Sequence, residues 1–196
     1  KILVSNQAGK SNLLSRLKSI GMKIDSDDER INTLLEIVKE REYMGYSYDG
    51  AGASFEILAK NVLDQVPSFF SVENYEVIIA GSKDKSSLSK ANIALNVDER
   101  IINSTGEGNG PVNALDNALR KDLGIYNKYI QDLTLVDYKV RILDGGTEAI
   151  TRVVIESSDS KNQSWFTVGI SPNIVEASFE ALMDSINYKL IKSDIK

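Results

Sequence analysis

The feature that most constrains the fold is an internal repeat in the last two thirds of this 196-residue chain. Residues recur unchanged 63 positions further along, at the spacings of strands and helices. The identical pairs are Tyr75 and Tyr138, Val77 and Val140, Ile79 and Ile142, Gly106 and Gly169, Ala114 and Ala177, Ala118 and Ala181, and Leu119 and Leu182. Two copies are too few for a solenoid. We therefore predict one compact domain of two similar units, with any functional site at the seam between them.

Both copies show the same order of elements. In the first, strands are expected over 75–80, 91–97 and 101–105 and a helix after Pro111, with 81–90 as a hairpin loop. In the second, strands are expected over 135–143, 149–156 and 165–170, turns at 145–146 and 157–163, and a helix from Pro172. Alternating polar and apolar residues are typical of antiparallel strands with one buried face. The order predicts two βββα units, at about 68–125 and 132–192.

The first 65 residues are predicted to be helical. Apolar residues recur at helical spacing in three segments, which end near Gly21, near Gly45 and before Pro67. Three short amphipathic helices cannot bury their apolar faces alone. We therefore expect residues 1–65 to pack on a neighbour as an adaptor, and the whole fold to be α+β.

The closing helix carries two apolar stripes. The first stripe contains Ile174, Ala177, Ala181 and Leu182, and the second contains Phe179, Met183, Ile186 and Leu190. One stripe would face the helix's own sheet. We expect the other to face a second copy of the chain, which predicts a homodimer.

Composition narrows the available chemistry. The chain has no cysteine and no histidine, which excludes disulfides, thiolate chemistry, histidine general bases and histidine metal ligands. A net charge of -5 argues against nucleic acid as a partner. No apolar stretch reaches the roughly 18 residues of a membrane span. We expect a cytoplasmic protein without a metal or cofactor and, because it starts at Lys1 without a methionine, a piece of a longer chain.

A glycine-rich run from Gly106 to Pro111 precedes the first long helix. Its spacing matches neither the dinucleotide fingerprint nor a phosphate loop. Two interpretations stay open: a tight turn whose glycines take positive φ, or a loop that binds a small ligand. The second copy, Ser171 to Ile174, is also a turn that enters a helix. Such a helix start can hold the carboxylate of an amino acid while aliphatic side chains contact its apolar tail.

These residues resemble the C-terminal part of the citramalate synthase and isopropylmalate synthase family, most closely its citramalate synthase branch. The matching passages are residues 3–12, 45–51, 53–56, 106–119, 138–156 and 165–188. They span nearly the whole chain, and the run from Val168 to Ile174 is fairly specific to the family.

The resemblance implies an upstream catalytic TIM barrel, which condenses acetyl-CoA with a 2-oxo acid such as pyruvate in a metal-dependent reaction. Residues 1–65 would be the linker subdomain. Residues 66–196 would be a dimeric regulatory domain of two βββα units, antiparallel sheets with helices packed on one face. The fragment is expected to be inactive alone and to bind a feedback inhibitor: isoleucine in citramalate synthases, leucine in isopropylmalate synthases.

The family's inhibitor contacts come from the glycine loop, the first two strands of the second unit and its turn. Carried onto matching positions, they are Gly108, Asn109, Gly110, Val112, Asn113, Ile142, Gly145, Ala149, Thr151, Pro172 and Ile174. Backbone N–H groups at Asn109 and Gly110, or at Asn173, are expected to hold the carboxylate. Val112, Ile142 and Ala149 are expected to contact the side chain. Between Leu143 and Thr147 a short turn replaces a longer loop found in part of the family, which alters the apolar pocket.

Two alternatives differ from an isoleucine-binding regulator in kind. The chain could be a purely structural dimerisation module. It could instead be a small enzyme that uses Asp144 or Glu148 beside the glycine loop, which the missing histidines disfavour. A leucine-binding regulator of an isopropylmalate synthase is the third alternative.

Overall fold

The chain forms two three-stranded antiparallel sheets and six α-helices over residues 2–63, 66–83, 85–143, 149–193 and 195, which are the residues that this computed structural model describes. The helices are α1 (Ile2–Ser19), α2 (Glu29–Met44), α3 (Gly52–Val62), α4 (Pro111–Lys121), α5 (Asn127–Ile130) and α6 (Ile174–Ile191). The strands are β1 (Phe70–Ser82), β2 (Lys85–Val97), β3 (Arg100–Gly108), β4 (Thr134–Ile142), β5 (Thr151–Ser158) and β6 (Ser164–Ser171). The sheet orders are β1-β2-β3 and β4-β5-β6, which confirms the α+β fold of two βββα units.

Capping residues begin and end the first helices where the sequence predicts. The side chain of Asp28 accepts the Arg30 N–H at 2.9 Å at the start of α2. Gly45 ends α2 with φ 114°, and Gly21 follows α1 with φ 80°. These left-handed conformations favour glycine because it has no Cβ.

The duplication extends to individual contacts. Ser104 donates a hydrogen bond to the Ala118 carbonyl, and Thr167 donates the equivalent bond to Ala181, both at 2.7 Å. The register of β1 against β2 shifts between residues 72 and 74, and that of β4 against β5 shifts between residues 135 and 137. The two units are therefore copies in structure as well as in sequence.

The glycine-rich run differs from the tight turn with positive φ that one interpretation predicts. Gly106 and Gly108 belong to β3, and neither they nor Gly110 has positive φ. A Cβ on Gly106 would collide with the backbone of Ala114 and Ala118 in α4. Glycine is therefore required here because the helix lies directly against the strand.

The hairpin loop predicted over 81–90 is also wrong. Strand β1 continues to Ser82 and β2 resumes at Lys85. The prediction failed because both faces of this two-stranded ribbon are exposed, as Ile78, Ile79 and Leu88 show, so burial imposes no alternation on it.

The second stripe of α6 does not need another chain to cover it. Phe179 stacks on Tyr75 of β1, and Ile186 and Leu190 belong to the same buried cluster as α4 and both sheets. The stripe is therefore no evidence for a homodimer, because the first unit of the same chain buries it.

The N-terminal helices pack on the outer face of the second sheet. Leu17, Leu34 and Phe55 share a buried cluster with Val168 of β6, and Val154 of β5 packs against that cluster. The expected neighbour of the helices is thus the chain's own second unit.

The matching face of the first sheet is polar. Asn92 and Thr105 stand where the second sheet has Val154 and Val168. Asn92 donates to Glu76 and accepts from Thr105, both at 3.1 Å. Covering hydrogen-bonded polar groups adds little stability, whereas burying valine side chains stabilises the fold. This difference directs the N-terminal helices to the second unit.

Candidate functional site

A cleft lies at the seam between the two units, where α4 of the first faces β4 of the second. We call it the seam cleft. Its volume is about 380 Å³, and it is lined by Val112, Asn113, Asp116, Arg120, Thr134, Leu135 and Tyr138. Two of these, Val112 and Asn113, belong to the predicted site. The cleft thus lies at the seam where the sequence predicts a functional site.

The two seams differ mainly in the residue that faces the tyrosine of the other unit's first strand. The equivalent seam lies between α6 and β1, where Phe179 occupies the position of Asp116 and Met183 that of Arg120. Phe179 stacks on Tyr75 with ring centroids 4.4 Å apart. In the first copy a shorter acidic side chain faces Tyr138 instead, which leaves space for a small molecule.

Charged and apolar groups occupy different parts of the seam cleft. Asp116 is 6% exposed and pairs with Arg120, which also donates to the Leu133 carbonyl at 2.6 Å. Burial raises the pKa of Asp116, although the Arg120 charge opposes that shift. The Nε of Arg120 is buried and has no hydrogen-bond partner among the described residues. The cleft can therefore complement a ligand that carries both a charged end and an apolar end.

Tyr138 is one of the five lining residues that the predicted site lacks. Its hydroxyl lies 2.8 Å from the Ser178 hydroxyl of α6, so it links the seam cleft to the closing helix. The signal was present in the sequence, since Tyr138 and Tyr75 are one of the repeated pairs. The repeat indicates that the two tyrosines have the same place in the fold, but it does not mark either one as a site residue.

The glycine-run residues of the predicted site surround the start of α4. Gly108 ends β3 and lies against Asn113. The Asn109 N–H donates to the Asn113 side chain at 3.3 Å, and the Gly110 carbonyl accepts from Ala114 at 3.0 Å. A ligand carboxylate would therefore have to displace the Asn113 amide to reach the Asn109 N–H.

A second group of predicted residues surrounds the start of α6. Thr151 pairs with Ile142 on one side and with Ser171 on the other. Ile174 opens the helix, and Pro172 precedes its N-cap residue, Asn173. The Asn173 N–H already donates to Ser171 Oγ at 3.0 Å, so it too is engaged.

Two other positions of the predicted site, Gly145 and Ala149, lie between β4 and β5 in the sequence. Ala149 is half-buried just before β5. Gly145, and with it the Asp144 and Glu148 of the enzyme alternative, lie outside the described residues. The predicted site residues that the structure describes thus form two groups, one at the start of α4 and one at the start of α6.

Apolar side chains stay exposed beyond the ends of the helices. Ile79 of β1 is 60% exposed, and its repeat partner Ile142 of β4 is 65% exposed. Val140 and Ile174 are also exposed. By strand alternation Ile79 and Ile142 point to the helix-bearing faces of their sheets, so one chain leaves an apolar ridge uncovered beside the predicted site.

The described residues contain no group of acidic side chains that could hold a metal ion. Among the same residues, no helix combines the length and apolar character needed to cross a membrane.

The model of the LeuA allosteric (dimerisation) domain matches residues 49–190. The (R)-citramalate synthase of Geobacter sulfurreducens is 46% identical over 197 residues, which cover 99% of this chain and 37% of that protein. That of Aquifex aeolicus is 44% identical with the same coverage. The 2-isopropylmalate synthase of Methanocaldococcus jannaschii is 26% identical over 99% of this chain and 36% of that protein. The chain therefore spans little more than a third of the length of these relatives.

Proposed function

Because this chain belongs to the LeuA allosteric (dimerisation) domain family, we propose that it is the C-terminal regulatory part of a citramalate synthase. Relatives bearing that name match it over nearly its whole length. Residues 66–196 would be the regulatory domain and residues 1–65 the linker to an upstream catalytic barrel. The fragment alone is expected to be inactive.

We propose that the regulatory domain binds isoleucine as a feedback inhibitor at the seam between its units. The observation that carries this proposal is the open seam cleft, because the equivalent seam is closed by Phe179. Val112, Leu135 and Tyr138 offer apolar contact to an aliphatic side chain. A carboxylate would bind at the start of α4 or α6 by displacing the Asn113 or Ser171 side chain that accepts from the Asn109 or Asn173 N–H.

We further propose that the chain forms a homodimer. The exposed ridge of Ile79, Val140, Ile142 and Ile174 lies on the faces that carry the helices, and such a ridge is stabilised when a second copy covers it. Sedimentation of wild type and of Ile142→Glu tests this interface. Dissociation by Ile142→Glu, but not by Ile101→Glu on the outer face of β3, is the expected result.

Thermal denaturation with isoleucine, leucine, valine and citramalate tests the effector. A ligand that binds only the folded state stabilises it by roughly 2.7 kcal/mol at about 100 times its Kd. We expect stabilisation by isoleucine. Stabilisation by leucine alone would instead assign the chain to an isopropylmalate synthase, whose named relative matches at 26% identity. A dimer with no stabilisation by any of the four would favour a purely structural module.

Calorimetric titration of two variants locates the site. Val112→Phe fills the seam cleft and is expected to weaken isoleucine binding at least about tenfold, because overpacking costs roughly 1–3 kcal/mol. Ala149→Phe tests the group at the start of α6 in the same way. Val136→Phe, on an exposed part of β4, is the matched control. Unchanged binding in both test variants would mean that the ligand lies elsewhere.

A further inference from the structure

Gly45, at the C-terminal end of α2, contacts the second sheet directly. Its carbonyl accepts a hydrogen bond from Arg152 Nε at 2.6 Å. A side chain at this position would collide with Leu143 and touch Ile170. Together with φ 114°, this contact leaves glycine as the residue that fits between α2 and the strands.

The two residues at this contact, Leu143 just past the end of β4 and Arg152 in β5, are sequence neighbours of predicted effector contacts. Leu143 follows Ile142, and Arg152 follows Thr151. Successive side chains of a strand point to opposite faces. Ile142 and Thr151 therefore face the helix-bearing side of the sheet, while Leu143 and Arg152 face α2. A ligand that shifts this end of β4 and β5 on one face must move the Gly45 contact on the other.

Tyr46, the residue after Gly45, is hydrogen-bonded to α6. The Tyr46 hydroxyl donates to Glu180 Oε1 at 2.6 Å, and Glu180 Oε2 accepts the Ile170 N–H at 3.0 Å. Burial is the main cause that raises the pKa of Tyr46, and the Glu180 carboxylate raises it further. The hydroxyl therefore stays protonated and keeps donating. The end of α2 is thus anchored to β5, to β4 and, through Glu180, to α6.

We propose that the contact of Gly45 with Arg152 and Leu143 transmits effector binding from the regulatory domain to the linker, with Arg152 as the positioning residue. This inference rests on the proposed function, since it requires an effector that binds at the starts of α4 and α6. Coupling of this kind requires that the effector has different affinities for the two arrangements of the contact.

The turn contains two amides that report directly on the contact. The Gly45 N–H donates to the Glu42 carbonyl at 3.1 Å, and the Tyr46 N–H donates to the Arg41 carbonyl at 3.0 Å. Their hydrogen exchange measures the opening of the end of α2. In wild type, saturating isoleucine is expected to change their exchange rates by at least about fivefold, the lower end of typical coupling.

Arg152→Met removes the hydrogen bond to Gly45 and is expected to reduce that isoleucine-dependent change to less than about twofold. Arg141→Met is the matched control, because Arg141 pairs with Arg152 across the strands and is exposed. Leu143→Ala, which loosens the apolar half of the contact, is the second test variant and is expected to act in the same direction.

Calorimetry on the same samples separates this inference from the proposed function. If wild type binds no isoleucine, the proposed effector is wrong. If wild type binds isoleucine but the Gly45 and Tyr46 amides do not respond, or if both test variants respond like wild type, the transmission through Gly45 is wrong.

Discussion

Tyr75 of β1 and Phe179 of α6 stack with their ring centroids 4.4 Å apart and their planes inclined by 29°. The contact joins the first strand of one unit to the helix of the other, across 104 positions of sequence. The equivalent pair in the other seam is Tyr138 and Asp116, which line the seam cleft. A single aromatic residue thus distinguishes a closed seam from an open one.

Phe179→Ala is expected to lower the free energy of unfolding by roughly 3 kcal/mol, because it leaves a cavity in the core and removes the ring contact. Urea denaturation measures the loss. Phe166, 39% exposed on β6, supplies the control: Phe166→Ala should cost much less, and equal losses would show that Phe179 does not join the units.

Gly169→Ala tests the close approach of α6 to β6. A Cβ at Gly169 would collide with the Ala177 backbone, whereas at Gly81 the nearest atom is Ser87 Cβ at 3.8 Å. We expect Gly169→Ala to destabilise the fold by at least about 2 kcal/mol through overpacking. Gly81→Ala, also in a strand, should leave the melting temperature nearly unchanged.

Lys189 holds two carboxylates at the C-terminal part of α6. Its Nζ lies 2.8 Å from Asp159 and 3.1 Å from Asp132, and the side chains of Lys189 and Asp159 are 9% and 5% exposed. Lys189→Met leaves the buried Asp159 carboxylate without its counterion, so a loss of roughly 3 kcal/mol is expected in denaturant titration.

Lys139→Met, which breaks an exposed ion pair with Asp137, is the control for Lys189→Met. The prediction fails if the two variants are equally stable.

Asp184 makes stability depend on pH. Burial raises its pKa to about 7, although the hydrogen bond from Ser54, at 2.6 Å, opposes the shift. The folded protein then holds a proton that the unfolded chain releases near pH 4. The stabilising contribution is therefore present at low pH and is lost as pH rises from about 4 to 7.

Asp184→Asn should remove this pH dependence. Relative to the variant, wild type is expected to lose on the order of 4 kcal/mol between pH 4 and pH 8, because a shift of about three pKa units is worth about 1.4 kcal/mol per unit. Chemical denaturation across that range measures the difference. Parallel curves for the two proteins would show that Asp184 ionises normally.

Much of the fold could be predicted from the sequence because its signals are local. The alternation around Tyr75 and Tyr138 and the glycines at 21 and 45 depend on residues within one element. The 63-residue repeat adds that each element of the first copy has a counterpart in the second. The predicted starts of α4 and α6 lie close to the observed ones for the same reason. The role of Gly106 was mistaken because its conformation depends on α4, which a local pattern does not include.

The sequence by itself determined a duplicated βββα domain preceded by amphipathic helices, since periodicity and capping depend on residues a few positions apart. Only the tertiary structure decided that the N-terminal helices cover the second sheet, where Val154 and Val168 replace Asn92 and Thr105. It alone decided that Phe179 closes one seam while Asp116 leaves the other open. Those outcomes depend on side chains from distant segments that compete for the same space, and packing of that kind has no local signature in sequence.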